Sequence, residues 1–361
     1  MVLGPPLPAD TQTPCLIVDR DVLEQNLVAM ADHARGHGVV LRPHAKTHKC
    51  IEIARRQLAL GAIGLTVATV GEGEVFAAAG FNDLFIAYPL WAAGARAARL
   101  RALAEQVALR VGVDSKGGVE VMARALAGTE AEVVVEVDSG HHRSGVAPER
   151  AGDVAVTAQR HGLRVAGVFT FPGHGYDPSG RKQAAVDEAR ALQKADAALR
   201  QAGVGAGLCS GGSTPTAALL TQGALNEMRP GVYVFNDAQQ VELGAADWDA
   251  VALTAATTVV SRHGRDLIFD AGSKVLGADR PAWATGFGRL PDHPRARIGA
   301  LSEHHATVSF PEGAALPELG SLVRVAPNHV CAAVNLADVL LVTAGGAVVD
   351  QWRVAARGKN A

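Results

Sequence analysis

From residue 15 to about residue 235, short β-branched runs alternate with amphipathic helical stretches, and this rhythm leaves few architectures open. The runs are Cys15–Asp19, Val40–Lys46, Gly64–Thr69, Asp83–Tyr88, Leu109–Asp114, Glu132–Asp138, Val165–Phe171 and Gly207–Ser213. A helix pattern over Asp21–His37 places Val22, Leu23, Leu27 and Met30 on one face, and a longer, polar-faced one runs from Gln183 to Gln201. Continuously apolar strands separated by helices are parallel strands buried on both faces. About eight such units within ~220 residues predict a closed (βα)8 TIM barrel rather than an open sheet.

After Phe235 the texture changes. Val251–Val260, Asp266–Asp270, Ala296–Ser302, Ala306–Phe310, Ser321–Pro327 and Val339–Thr343 read as short strands joined by Gly/Pro turns, with little helix. The chain thus divides into an N-terminal segment over 1–14, a βα barrel over 15–238 and a mainly antiparallel β domain over 239–361. Of the 361 residues, 48% are apolar and 19% charged, enough for large cores and against disorder. A net charge of −2 gives no reason to expect nucleic acid or an anionic membrane surface as a partner. The four cysteines (Cys15, Cys50, Cys209, Cys331) are too scattered for a disulfide framework, which fits a reducing cytoplasm. The N-terminus has no basic region followed by an apolar run, so no secretory signal is expected. No apolar stretch approaches ~20 residues, so no membrane span is expected. The tail Arg357–Ala361 reads as loose.

Barrel active sites lie at the carboxyl ends of the strands, and unusual polar residues cluster there. Arg42-Pro-His-Ala-Lys-Thr-His-Lys49 closes the second run. A lysine ending a buried strand points into the barrel mouth, where desolvation and nearby cations favour imine chemistry. Lys46 and Lys49 read equally as solvated loop lysines until something else is added. Val135-Glu-Val-Asp-Ser-Gly-His-His-Arg-Ser-Gly145 supplies Arg143, whose planar fork suits a phenolate or carboxylate, or which pairs inside the barrel with Asp138 or Glu136. His141 and His142 are weaker candidates, one of them a packing or solvent residue. In Thr170-Phe-Pro-Gly-His-Gly-Tyr176, flanking glycines let the backbone approach a ligand and expose His174 for proton transfer, or merely build a turn. Ser210-Gly-Gly-Ser-Thr-Pro-Thr216, followed by Arg229-Pro-Gly-Val-Tyr233, combines a late barrel turn with backbone N–H groups and hydroxyls suited to phosphate. Lastly, Pro327-Asn-His-Val-Cys331 reads as extended, so His329 and Cys331 face the same side and can share a borderline metal such as zinc. A buried cysteine beside a capping histidine has the same spacing.

Taken in this order, these segments resemble D-threonine aldolases and eukaryotic-type D-serine dehydratases, fold-type III pyridoxal enzymes with alanine racemase as the wider relative. The resemblance runs from about Thr13 to Val349. It implies a barrel, a C-terminal β domain that takes in the first strand and packs with the 1–14 segment, a homodimer, pyridoxal 5′-phosphate, and a divalent metal (zinc or manganese). By position, Lys46 matches the Schiff-base lysine and Arg143 the arginine facing the cofactor's phenolic oxygen. Ser213 and Thr214, with Gly231, Val232 and Tyr233, match the phosphate grip, and His329 with Cys331 match the metal pair. His174 and Tyr176 fall where this family places side chains near the substrate or cofactor, and His48 or His174 is the candidate base. His-x-Cys is typical of the dehydratases, whereas the wording around TFPGHGY, SGGSTPT and ADRPAWATGFG is more aldolase-like.

The expected reaction is therefore retro-aldol cleavage of a β-hydroxy-D-amino acid, D-threonine to glycine and acetaldehyde. The rivals are elimination of the β-hydroxyl, as in D-serine or D-threo-3-hydroxyaspartate dehydratases, racemisation, and a non-catalytic cofactor-holding regulatory protein. An unrelated barrel hydrolase stands if the resemblance misleads.

Overall fold

The computed structural model describes residues 7–8 and 10–361, so part of the 1–14 segment (residues 1–6 and 9) lies outside the described residues. The strands are β1 (Cys15–Asp19), β2 (Val40–Leu41), β3 (Leu65–Val67), β4 (Asp83–Pro89), β5 (Ala108–Val113), β6 (Glu132–Glu136), β7 (Arg164–Phe169), β8 (Leu208–Gly211) and β9 (Glu227–Met228). They continue with β10 (Leu253–His263), β11 (Asp266–Phe269), β12 (Arg297–Leu301), β13 (Ala306–Ser309), β14 (Leu322–Val325), β15 (Val339–Ala344) and β16 (Ala347–Arg353). The helices are α1 (Arg20–Gly36), α2 (Ile51–Ala59), α3 (Val70–Ala78), α4 (Ala95–Ala104), α5 (Lys116–Leu126), α6 (Ala151–Arg160), α7 (Arg181–Gln201), α8 (Ala238–Glu242), α9 (Ser273–Leu276) and α10 (Val330–Leu336).

Two compact units emerge. One comprises Met30–Lys46, Ile53–Gly231 and Lys359–Ala361. Within it, the described residues form an eight-stranded parallel sheet in the order β2-β9-β8-β7-β6-β5-β4-β3. The circle closes where Ala45 N–H bonds the Thr66 carbonyl (2.8 Å) and Thr66 N–H bonds that of Pro43 (2.9 Å). This is the anticipated βα barrel. Its short eighth strand, Glu227–Met228, was not foreseen, because two residues carry no periodicity. Phe85, Val134 and Phe169 centre one cluster of its core.

Beside that cluster the interior is unexpectedly ionic. Arg42, fully buried, forks onto Asp83 (2.6 and 3.1 Å) and donates from Nε to Glu227 (2.7 Å). It thus points away from the mouth toward the start of β4, rather than joining the basic cluster around Lys46. Burial alone would lower its pKa, but Asp83 and Glu227 outweigh burial and raise it. Glu227 also accepts from Ser210 (2.5 Å), and Arg229 donates to Ser210 and to the Thr170 carbonyl (2.7 Å).

The other unit comprises the described residues up to Ala29, Thr47–Glu52 and Val232–Gly358. Its strand order is β12-β13-β11-β10-β1-β15-β16, with β14 also on β10, and every pairing but β1 with β15 is antiparallel. The run Cys15–Asp19, counted above with the barrel, pairs here instead, between β10 and β15. A strand apolar on both sides is as much at home in this sheet as in a barrel wall, so its own residues cannot choose. Thr13 hydrogen-bonds Thr258 and Asp270 (both 2.6 Å), which ties Thr13 to the same unit. The strand β16 was missed; its residues are mostly exposed and do not read as a core strand.

Candidate active site

At the carboxyl ends of β6 and β7 the mouth of the barrel is organised by Phe171. The Lys46 Nζ lies 5.8 Å from its ring centroid and the Arg143 guanidinium 5.0 Å. His141 meets the ring edge-on at 5.6 Å, and Tyr176 lies tilted at 6.2 Å. Four groups separated by up to 130 residues are thus gathered around one aromatic ring, and Lys46 is half-buried among them. Lys49, three residues on, is buried instead in the other unit, where its Nζ donates to Asn335 (2.7 Å).

The Arg143 loop is built by Asp138, which accepts from Gly140 N–H (2.8 Å), His142 N–H (3.0 Å) and His142 Nδ1 (2.6 Å). Burial works against its charge, but these donors overcome it and hold Asp138 below the usual carboxylate range. With Asp138 so occupied, the only carboxylate reaching Arg143 among the described residues is that of Glu136, at 3.9 Å. Burial pushes Glu136 up, and it lines a small cavity of about 10 Å³ with Ser139, Arg143, Ser144, Thr170 and Phe171, room for roughly one water. His142 is the solvent residue of its pair, its side chain 82% exposed. His141 packs on Phe171, its pKa lowered by burial and then by Arg143 and His174.

His174 stands in a 3-10 turn, Gly173–Tyr176, and the glycines around it matter sterically. A Cβ on Gly173 would strike the His141 ring at 2.5 Å, and one on Gly140 would press the His174 ring at 3.3 Å. Among the described residues, neither ring nitrogen of His174 has a hydrogen-bond partner; Asp187 is 3.5 Å from Nε2. His48, fully buried, accepts from Cys50 N–H at Nδ1 (3.0 Å), which places the proton of the neutral ring on Nε2.

Ser213 and Thr214, both buried, open a 3-10 turn closed by a capping box with Thr216. The turn hangs from Gly212, whose φ of +80° needs glycine. Gly231 ends the barrel unit, and the buried Val232 and Tyr233 begin the other.

In that second unit, the Pro327-Asn-His-Val-Cys331 segment is not extended. His329 caps α10 and Cys331 lies in its first turn, so the same-side argument from strand geometry fails. The two side chains still meet, through the turn of the helix rather than along a strand. The segment is clamped: Ala238 N–H bonds the Pro327 carbonyl (3.0 Å), and Asp237 accepts from Val330 N–H (3.0 Å). Asn328 donates to the Asp279 and Gly286 carbonyls (3.0 and 2.7 Å). His329 Nδ1 bonds the Asp279 carboxylate at 2.6 Å, His329 also hydrogen-bonds Cys331, and Cys331 Sγ lies 3.3 Å from the Thr47 hydroxyl. Burial opposes charge on His329, but Cys331, Asp279 and Asp237 outweigh it and raise its pKa to about 11. Among the described residues, no group of three or more His, Cys, Asp or Glu is placed to hold a metal. Asp279, Asp237 and Phe171 were not singled out by sequence reasoning: Phe171 reads as core at the end of a buried run, and nothing in the spacing of the two aspartates links them to His329.

The donor sets fit both groups that the motifs imply. A half-buried amine, a guanidinium, and hydroxyls heading a glycine-hinged turn suit pyridoxal phosphate. An imidazole with its second nitrogen fixed by a carboxylate, beside a thiol, suits a borderline divalent ion.

A parallel barrel with such a mouth, combined with an antiparallel β unit, defines the fold-type III pyridoxal class. Residues 18–239 match the family described as alanine racemase, N-terminal domain, and residues 252–343 match a serine dehydratase domain. The D-threonine aldolase of Arthrobacter sp. is 35% identical, over 98% of this chain and 95% of its own. The crystal structure of D-threonine aldolase from Filomicrobium marinum superposes with a TM-score of 0.85 at 34% identity, covering 99% of both chains. A D-threo-3-hydroxyaspartate dehydratase, solved as a cysteine-to-alanine variant in the metal-free form, superposes at 0.87 with 30% identity, over 96% of this chain and 98% of its own. The chain belongs to the D-threonine aldolase and D-serine dehydratase family, and it is a pyridoxal-phosphate-dependent lyase.

Proposed function

We propose that this lyase cleaves β-hydroxy-D-amino acids by retro-aldol reaction, taking D-threonine to glycine and acetaldehyde, with a divalent ion (zinc or manganese) on His329 and Cys331. The observation that carries the choice is the likeness to an aldolase along almost the whole of both chains. Lys46 would hold the cofactor covalently, Arg143 would serve its phenolic oxygen, and Ser213, Thr214, Gly231, Val232 and Tyr233 would hold its phosphate. When bound, the cofactor supplies the electron sink for the breaking bond. An ion on His329 and Cys331 supplies the positive charge that acidifies the β-hydroxyl.

His174 is the better candidate to take the hydroxyl proton. Among the described residues its ring nitrogens make no hydrogen bond, with Asp187 3.5 Å from Nε2, whereas the bond from Cys50 N–H to His48 Nδ1 makes the neutral His48 ring a donor on its remaining side. Tyr176 and Phe171 wall the mouth and restrict water there. The protein works as a homodimer in the cytoplasm.

One observation favours a second reading. The His-x-Cys pair, with the metal-free cysteine variant of the hydroxyaspartate dehydratase, suits elimination of the β-hydroxyl. Incubation with D-threonine decides between them: acetaldehyde supports cleavage, and 2-oxobutanoate would replace the aldolase by a dehydratase.

A further inference from the structure

The helix α7 crosses behind the Ser213–Thr216 turn and grips it at two points. Its first residue, Arg181, donates from Nε to the Pro215 carbonyl (2.9 Å). Two turns along, Glu188 accepts from Gly212 N–H at 2.6 Å. Glu188 is 2% exposed, in the middle of a helix whose other charged residues face largely outward. Its carboxylate fits where it does only because residue 211 is glycine, since a Cβ there would stand 2.5 Å from Glu188 Oε1. Arg229, fully buried, lends the carboxylate a cation without bonding it directly, and burial pushes Glu188 up to about 7. A buried carboxyl set against one backbone N–H is an unusual use of a charge, and a helix interior offers many cheaper residues. The N–H it holds belongs to the left-handed hinge from which Ser213 and Thr214 hang.

We infer that Glu188 is a positioning residue for the cofactor's phosphate: through Gly212 it sets the height and angle of the Ser213–Thr214 turn. This rests on the proposed assignment of that turn to phosphate. Glu188 itself touches no ligand; it orders the hinge, and Gly211 is the space that lets it do so.

The test compares the full-length protein's affinity for pyridoxal 5′-phosphate with its affinity for pyridoxal, which lacks the phosphate, by titrating the bound chromophore. Glu188→Met keeps length and bulk but removes the acceptor, and Glu188→Gln keeps an acceptor oxygen. Gly211→Ala leaves Glu188 in place and pushes its carboxylate off Gly212, so the inference does not depend on one variant folding. Glu188→Met and Gly211→Ala should each weaken the phosphate ester by about tenfold, the scale of one hydrogen bond, with pyridoxal binding unchanged and the Gln variant within about twofold of the parent. Equal losses for both ligands would mean that Glu188 merely supports the barrel, and no loss would mean that it does nothing for the turn; either overturns the inference. A Ser213→Ala/Thr214→Val control separates the two levels. If that control keeps the preference for the phosphate ester, the turn is not the phosphate site. If it loses the preference while Glu188→Met and Gly211→Ala keep it, the positioning role alone is wrong.

Discussion

Replacing Arg42 by Met tests whether the ionic interior of the barrel is balanced or merely tolerated. Arg42 is fully buried and is the direct partner of the equally buried Glu227, at 2.7 Å, while its fork holds Asp83, which is partly exposed. Methionine matches much of the arginine stem, so the cavity left is small and the main consequence is an uncompensated carboxylate at Glu227. Removing one partner of a buried pair costs about 3–5 kcal/mol. Ser210 still donates to Glu227 and Arg229 is near, which argues for the lower half of that range. For a unit of this size, about 3 kcal/mol corresponds to a fall in Tm of roughly 10 °C. The double variant Arg42→Met/Glu227→Met should recover most of the stability, since an apolar pair of similar volume is often as good as the ion pair. Denaturant unfolding of the four corners of the cycle, followed by circular dichroism, measures this. A single-variant loss below about 1 kcal/mol, or a double variant no better than the single one, would refute the reasoning.

Borohydride should fix the cofactor on the peptide through Lys46; label on Lys49, which the structure commits to Asn335, would overturn the lysine assignment. Chelator, or His329→Ala, should abolish turnover while leaving the cofactor's absorption near 410–430 nm, as expected for a protonated imine; full activity of the variant removes the metal from the mechanism. D-Threonine and D-allo-threonine should both react, and L-threonine turnover within about tenfold of the D-isomer would sink the stereochemical reading, because an L substrate loses two transition-state contacts at once. Glu188, raised from 4.5 to about 7, binds its proton more tightly in the folded than in the unfolded state. Its contribution, at most about 3 kcal/mol, is therefore complete below pH ~4.5 and lost as pH rises through ~7. Denaturation midpoints of Glu188→Gln should show a flatter slope than the parent between those values.

Much of the site was legible because barrel chemistry sits at strand ends, and strand ends can be found from periodicity. That logic picks out Lys46, Arg143, His174 and the Ser213–Thr214 turn as candidates, and the structure gathers Lys46 and Arg143 about one ring. It could not see Phe171 as their meeting point, since an aromatic at the end of a buried run reads as core. Nor could it tell Lys46 from Lys49, three residues apart in one motif, where only the fold sends one amine to the barrel mouth and the other to Asn335. His329 and Cys331 read as neighbours on an extended segment, whereas the structure sets them at the start of a helix. Short segments rich in Val, Cys and Ala do not distinguish a strand from the first turn of a helix, and the clamp from Asp237 and the α8 end of the chain decides it.

What the sequence determined by itself is what local periodicity and side-chain chemistry can carry: the βα rhythm, the break after Phe235, and the inventory of candidate cofactor- and metal-binding groups. What only the tertiary structure decided are the long-range choices. The strand β1 leaves the barrel for a place between β10 and β15, Arg42 turns away from the mouth toward Asp83 and Glu227, and Glu188 is drawn from a polar helix into full burial against Gly212. The physical reason is common to all three. An apolar strand or a buried charge is satisfied by whichever partner the closed fold brings within hydrogen-bond distance, and partners so remote along the chain leave no trace in the residues around it.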